Sequence, residues 1–168
     1  MGRDSETAIK RATGDTDMAV KDIERNMDRW LEKLQSEIEV VHQVVAEEFV
    51  KNARANVTQT IYSRPIERKP WDLTGNLRSS IGYSLITPSR QLQGGFQGEG
   101  TKGKQEGKQL AMSLTSGHDY TLALVAGMEY AAAVESRGYD VITQAVKDAE
   151  KSMDKRLTSV YNRAIKQL

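Results

Sequence analysis

A stretch of about 40 residues without proline or glycine, from Asp17 to Val57, constrains the fold of this chain more than any other feature. Its apolar side chains recur about every 3.7 residues, which is close to an α-helical turn and exceeds the repeat of about 3.5 that a left-handed coiled coil needs. The pattern predicts one long, nearly straight helix with an apolar stripe on a single face. The stripe consists of Ile23, Met27, Leu31, Leu34, Ile38, Val41, Val45 and Phe49.

This long helix needs other elements or other chains to be stable. Burial of its eight apolar side chains contributes on the order of 10 to 25 kcal/mol, whereas ordering about 40 residues costs about 1 to 2 kcal/mol each. The residues that can cap its N-terminus are Asp15, Thr16 and Asp17. Residues 1–15 lack a sustained apolar period, and we predict that they form a mobile polar arm.

A non-helical connector is predicted after the long helix, because Pro65 and Pro70 interrupt residues 63–72. The LTGNLRSS segment follows, and Asp72 or Thr74 can cap a very short helix there. The sequence therefore predicts a break in the chain direction between the long helix and the segments that come next.

The apolar period then changes to two, which predicts β-strands. Three segments alternate in this way, residues 81–86, 110–115 and 120–125. The turn-rich run 116–119 predicts an antiparallel hairpin between the last two. Residues 88–109 carry six glycines, and we predict that they form a flexible loop.

The predicted fold class is α+β. It has a long N-terminal helix, a small antiparallel sheet of about three strands with a long Gly-rich hairpin loop, and a C-terminal helix packed on the sheet. The C-terminal helix is predicted from the apolar period that follows Gly138. A length of 168 residues with 38% apolar residues suits one domain, predicted over residues 16–168.

Charge and composition argue against several classes of protein. The chain has 24 Lys and Arg against 23 Asp and Glu, so it lacks the basic character of a dedicated DNA-binding domain. It has no cysteine, which excludes disulfides, thiolate zinc sites and cysteine nucleophiles and fits folding in a reducing cytoplasm. A secretion signal is not expected, because residues 1–17 contain no apolar region. A membrane span is not expected either, because no apolar run approaches about 18 residues.

One segment, GEGTKGKQ, has most of the spacing of a phosphate-binding P-loop. Gly98, Gly103 and Lys104 fit that spacing, but Gln105 stands where a serine or threonine should hold Mg²⁺. A P-loop also follows a buried strand and opens a helix, and that context is not predicted here. A flexible loop is the prediction, and nucleotide binding is the alternative.

The two histidines do not indicate a catalytic or metal site. His118 and Asp119 with Ser116 belong to a predicted tight turn, which offers neither a pocket nor a fixed base. His42 lies in the long helix, where a lone imidazole is usually a solvated or packed side chain. We therefore expect no catalytic residue, no cofactor and no metal ion, and we predict that the protein is not an enzyme.

Two groups of short motifs stand in a characteristic order. The first is LTGNLRSSI, residues 73–81, and the second comprises Val125-Ala126-Gly127, Tyr130-Ala131, Val134-Glu135 and Gly138-Tyr139. In order and spacing they resemble the head-to-tail joining or tail-completion (neck) protein family of lambda-like and related tailed bacteriophages. The resemblance covers most of residues 20–165. The loop at 88–109, the arm at 1–15 and the lack of a Pro-rich stretch before the last helix depart from the family pattern.

The resemblance implies a non-catalytic virion structural protein. It implies a homo-oligomeric ring of six or twelve copies in the neck (connector), or at the head-proximal end of the tail. The expected partners are other copies of the chain, portal or adaptor proteins, and tail terminator and tail tube proteins, with passing contact with DNA in the lumen. The expected location is the virion, and the host cytoplasm during assembly. A cytoplasmic helical adaptor is a further alternative.

Charged residues beside these motifs are the candidate subunit-interface residues, because rim charges can set the register between subunits. They are Arg78, Glu135 and Arg137. The Gly-rich loop adds three lysines that, repeated around a ring axis, would form a positive fringe facing an acidic partner or DNA. They are Lys102, Lys104 and Lys108. A loop that acts only as a spacer is the alternative for these three.

Overall fold

The computed structural model describes residues 3–63 and 74–167, and side chains from residue 17 onward. The chain divides into two compact units, Met1–Ile38 and Glu39–Leu168. In chain order the elements are α1 (Arg3–Val57), a π-helical turn (Thr58–Tyr62), α2 (Asn76–Ser79), β1 (Ile81–Ile86), β2 (Gln91–Gly94), α3 (Thr101–Ser113), β3 (Thr121–Ala126), α4 (Ala131–Ser136) and α5 (Thr143–Ile165). The predicted connector with Pro65 and Pro70, and the predicted cap Asp72, lie outside the described residues.

Helix α1 begins earlier than its capping residues predict. It starts at Arg3, whereas Asp15, Thr16 or Asp17 was the predicted N-cap. Once a long helix has formed, each added residue costs no new nucleation, and residues 3–13 are mostly good helix formers. Gly14 lowers helix stability by about 1 kcal/mol, which is too little to stop this propagation. The mobility of residues 3–15 in the absence of a partner stays a prediction, and residues 1–2 are outside the described part.

The predicted α+β fold with an antiparallel sheet is confirmed. The sheet has the strand order β2-β1-β3, and both pairings are antiparallel. Tyr83 of the central strand stands opposite Gly94 on one side and Leu124 on the other. The predicted strands at 81–86 and 120–125 are confirmed as β1 and β3, the latter shifted by one residue.

The predicted strand at 110–115 and its hairpin with 120–125 are wrong. Residues up to Ser113 belong to α3, and the third strand is β2, which forms a tight hairpin with β1. In that hairpin the Thr87 amide and hydroxyl both donate to the Arg90 carbonyl, at 2.8 and 3.0 Å. The alternation of Leu110, Met112 and Leu114 is too short to distinguish a strand from one turn of helix.

The glycines of residues 88–109 serve close packing, so the prediction of a flexible loop over this whole range is also wrong. Gly103 and Gly107 are buried on the face of α3 that meets α2 and the start of β1. A Cβ atom on Gly103 would lie 1.9 Å from the Asn76 carbonyl oxygen, and one on Gly107 would lie 2.6 Å from the Ser80 carbonyl oxygen. Only glycine permits this backbone-to-backbone approach.

The main core of the second unit joins the C-terminal part of α1 to β1, α4 and α5. Its fully buried side chains include Phe49, Leu85, Val134 and Ala145. Leu122 and Leu124 of β3 pack against this cluster, as does Met153 of α5. The C-terminal helix therefore packs on the sheet as predicted. Among the helices of the described residues, none combines the length and apolar composition needed to cross a bilayer.

Candidate functional site

Arg78 lies in a cleft, as does Glu135, another predicted site residue, which lines two others. The helix of Arg78, α2, begins at Asn76 and follows the N-cap Gly75, whose φ of 73° is left-handed and favours glycine. The Thr74 hydroxyl accepts a hydrogen bond of 2.6 Å from the Asn76 side-chain amide, which fixes the entry to the helix. One turn of helix then places Leu77 in the core and leaves the Arg78 side chain partly buried beside the end of α1.

The cleft itself is formed where α1 gives way to the π-helical turn. It has a volume of about 400 Å³ and is lined by Arg54, Ala55, Thr58, Gln59, Ser63 and Arg78. The Ser63 amide donates to the Thr58 carbonyl at 2.8 Å, so the wider turn brings both residues to the cleft. Single π-helical turns occur frequently at functional sites. We call this feature the arginine cleft.

Two guanidinium groups face this cleft without an acidic partner among the described residues. Arg54 Nη1 donates to the Gly95 carbonyl at 3.3 Å, and Arg78 Nη1 donates to the Thr58 hydroxyl at 3.4 Å. Arg78 also lies over the Tyr62 ring, with 5.0 Å from its guanidinium carbon to the ring centroid. Burial, and then the positive charge of Arg78, lower the pKa of Arg54.

Glu135 and Arg137, also predicted as interface residues, lie at the end of α4. The Glu135 carboxylate accepts hydrogen bonds from the amides of Ile142 and Thr143, at 3.3 and 2.9 Å. These amides open α5, so Glu135 caps that helix within the subunit. Arg137 is exposed. The structure thus gives Glu135 an internal role, while its role between subunits stays a prediction.

The three predicted lysines lie on α3 instead of a loop. Lys102 forms an ion pair of 3.4 Å with Glu106 one turn later, Lys104 is partly buried, and Lys108 is exposed. The pairing with Glu106 reduces the surplus of positive charge that a fringe would present. The six candidate residues therefore occupy α2, α3 and the end of α4 and do not share one cluster of side chains.

The P-loop-like segment cannot cradle a phosphate in the way that its spacing suggests. The Gly100 amide donates to the Ser79 hydroxyl and the Gly103 amide donates to the Asn76 side-chain oxygen, each at 3.0 Å. Backbone amides at this helix start are the groups that a P-loop offers to phosphates. Here they connect α3 to α2, which argues against the nucleotide-binding alternative.

Both histidines occupy structural positions. His42 is buried and stacks on Tyr120, with 5.7 Å between the ring centroids. His118 lies exposed in a turn in which its amide donates to the Ser116 hydroxyl at 3.0 Å. Within the described ranges, no three metal-binding side chains come together.

A second candidate feature is a set of surfaces suited to association. In the first unit, five large apolar side chains of α1 are exposed. Besides Met18 they are Val20, Ile23, Met27 and Leu31, at 48%, 63%, 45% and 42%, and these four form the first of these surfaces. Their spacing of three or four residues places them on one helix face. We call them the α1 stripe. In the second unit β3 is an edge strand, since among the described residues it pairs only with β1.

The sequence did not indicate Arg54, Thr58, Gln59 or Ser63 as site residues. Arg54 is one of several charged residues in a long helix, and its proximity to Arg78 depends on how the chain returns after Ser63. Comparison of the chain with protein-family models, with curated proteins and with solved structures finds no match.

Proposed function

We propose that this protein is a non-catalytic structural subunit of a tailed bacteriophage. It forms a ring at the head-tail junction, or at the head-proximal end of the tail. The phage assignment rests on the motifs around residues 73–81 and 125–139. The observation that carries the assembly role is the α1 stripe, a row of four exposed apolar side chains on one face of a helix.

The α1 stripe favours association because a single helix has no second layer on which to bury an apolar face. Full burial of a side chain of this size contributes about 1.5 to 3 kcal/mol. Four such side chains give a contact that is weak between two free subunits. In a closed ring every subunit makes this contact with both of its neighbours, and the assembly as a whole becomes strong. The open edge of β3 offers backbone hydrogen bonds for a further contact.

The test is sedimentation velocity of the purified protein over a wide range of concentrations. Wild-type protein is expected to associate as concentration rises, and Ile23→Glu is expected to weaken that association, because a carboxylate would have to be buried. Ser36→Glu is the matched control, since it places the same charge on the opposite face of α1 at an exposed position. Equal association of both variants would show that the stripe is not an interface.

The same surface would also suit a helical adaptor unrelated to phage. Gene neighbourhood separates the two, because portal, capsid and tail-tube genes should flank a neck protein. This proposal includes a location in the virion and, during assembly, in the host cytoplasm. It also includes a ring of six or twelve copies. Both are tested with it.

A further inference from the structure

The arginine cleft has the composition of a binding site for an anion. Arg54 and Arg78 come from different helices and converge on one cleft, and among the described residues neither is paired with a carboxylate. Two like charges held together without a counter-ion cost free energy that a bound anion would recover. We infer that the arginine cleft is an oxyanion site that takes a phosphate group.

The hydrogen bonding of Arg78 supports this inference most directly. Its Nε–H is buried and, among the described residues, has no acceptor. Its Nη1 contact with Thr58 is long at 3.4 Å, and its guanidinium carbon lies 5.0 Å from the centroid of the Tyr62 ring, which cannot accept in place of an anion oxygen. Buried donors without an acceptor are rare, and a rotation of the Arg78 side chain toward the cleft would let a bound oxyanion accept from this Nε–H.

The other groups of the cleft match an oxygen-rich ligand of small size. Gln59 and Ser63 add polar side chains at its rim, and both are exposed to solvent. The Thr58 hydroxyl donates to the Arg54 carbonyl at 2.7 Å, which keeps its oxygen in place beside Arg78. The Ser63 hydroxyl likewise donates to the Thr58 carbonyl at 3.0 Å, so the donors that remain for a ligand are the two guanidinium groups and the Gln59 side-chain amide.

Charge favours phosphate over carboxylate as the ligand. Two guanidinium groups carry two positive charges, and a phosphate monoester carries about −1.5 to −2 at neutral pH, whereas a carboxylate carries one negative charge. The inference concerns the phosphate group itself, which free phosphate, a phosphorylated molecule or the end of a DNA strand could supply. It does not depend on ring assembly.

The experiment is calorimetric titration of the full-length protein with inorganic phosphate, at ionic strength held constant with potassium chloride. Wild-type protein is expected to bind, and Arg54→Gln and Arg78→Gln are each expected to weaken binding about tenfold or more, because each removes a charge-assisted hydrogen bond. Arg29→Gln is the matched control, since it removes the same charge from an exposed position on α1 and is expected to leave binding unchanged. Arg78→Lys keeps the charge and should bind with intermediate affinity.

Three results would overturn the inference. One is an affinity for phosphate that is the same in wild type, Arg54→Gln and Arg78→Gln. Another is acetate binding as tightly as phosphate, which would indicate a carboxylate site. The third is that Glu67→Gln or Asp72→Asn binds phosphate and the wild-type protein does not. That result would show that a carboxylate of the chain itself fills the cleft. A duplex carrying 5′-phosphates, compared with the same duplex lacking them, then tests DNA ends as the source.

Discussion

Substitution of Gly103 by alanine tests the glycine packing of α3 most sharply. The new Cβ atom would lie 1.9 Å from the Asn76 carbonyl oxygen, 2.7 Å from its carbonyl carbon and 2.8 Å from its Cα. All three are backbone atoms of α2, so a rotamer change cannot relieve the clash, and α3 must move by about 1 Å. That movement would also strain the hydrogen bond of 3.0 Å from the Gly103 amide to the Asn76 side chain.

The expected loss in the free energy of unfolding follows from two opposing effects. Overpacking of a tight contact costs about 1 to 3 kcal/mol and sometimes more, and a weakened buried hydrogen bond adds about 1 kcal/mol. Alanine in a helix recovers about 1 kcal/mol relative to glycine. The net expectation for Gly103→Ala is destabilisation by about 1 to 3 kcal/mol.

Urea unfolding followed by far-UV circular dichroism measures this change. The matched control is Gly117→Ala, because a Cβ atom there would meet no atom within 4 Å and that glycine is not in the left-handed region. It should be neutral or stabilise by up to about 1 kcal/mol. If Gly103→Ala is as stable as Gly117→Ala, the close approach of α3 to α2 is wrong, and the glycines belong to a flexible segment after all.

Three further predictions concern the second unit. Hydrogen exchange of the purified protein should find the amides within Lys104–Ser113 protected, because they lie in α3, and free exchange there would contradict the helix. Glu135→Gln should lower the free energy of unfolding in urea by about 1 kcal/mol, because it weakens the cap on α5, whereas Glu129→Gln at an exposed position should have no effect. Burial, the hydrogen bond from its hydroxyl to Glu47 and the charge of that carboxylate raise the pKa of Tyr83 to about 12. The contribution of this raised pKa to the free energy of unfolding is complete below pH 10 and is lost as the pH rises toward 12. Over that range wild-type protein should therefore lose more stability than Tyr83→Phe. Parallel curves of unfolding free energy against pH for the two proteins would contradict the shift.

Local patterns predicted the elements whose formation depends on neighbours in the sequence. The period of α1 and the alternation in β1 and β3 indicate the type of each element. They do not map burial, since Ile23, Met27 and Leu31 of the α1 period are exposed and all residues of Ile81–Leu85 are buried. The short helix at LTGNLRSS was predicted from capping residues, and α2 forms there. The helix start was misplaced because a cap is only a preference, and an existing helix can extend past it at little cost.

The α3 region shows why the remainder could not be predicted from the sequence. Gly100, Gly103 and Gly107 at spacings of three and four residues give the same composition as a flexible loop, and only the backbone of α2 and the start of β1 gives them another purpose. Leu110 and Met112 are 41% and 65% exposed, so their alternation did not report a buried face. Sequence periodicity contains no information about a partner backbone that is distant in the sequence.

The candidate site residues also divide into those that the sequence indicated and those that it did not. Arg78 was selected because it is a charge beside a tight structural motif, and the structure places it in a cleft. Arg54 was not selected, since the 24-residue separation between the two arginines gives no local signal. Glu135 was selected for the same reason as Arg78 and caps α5. A charged residue near a tight turn thus indicates an ordered contact without indicating what the contact is for.

The central proposal, that the protein completes the joint between the head and the tail of a phage, is tested most directly by deleting its gene from a phage genome that carries it and imaging the lysate by electron microscopy. We predict DNA-filled heads and separate tails that fail to join stably. Complementation with wild-type protein should restore joining, and complementation with Ile23→Glu should restore it less. A normal yield of intact infectious virions from the deletion would contradict it.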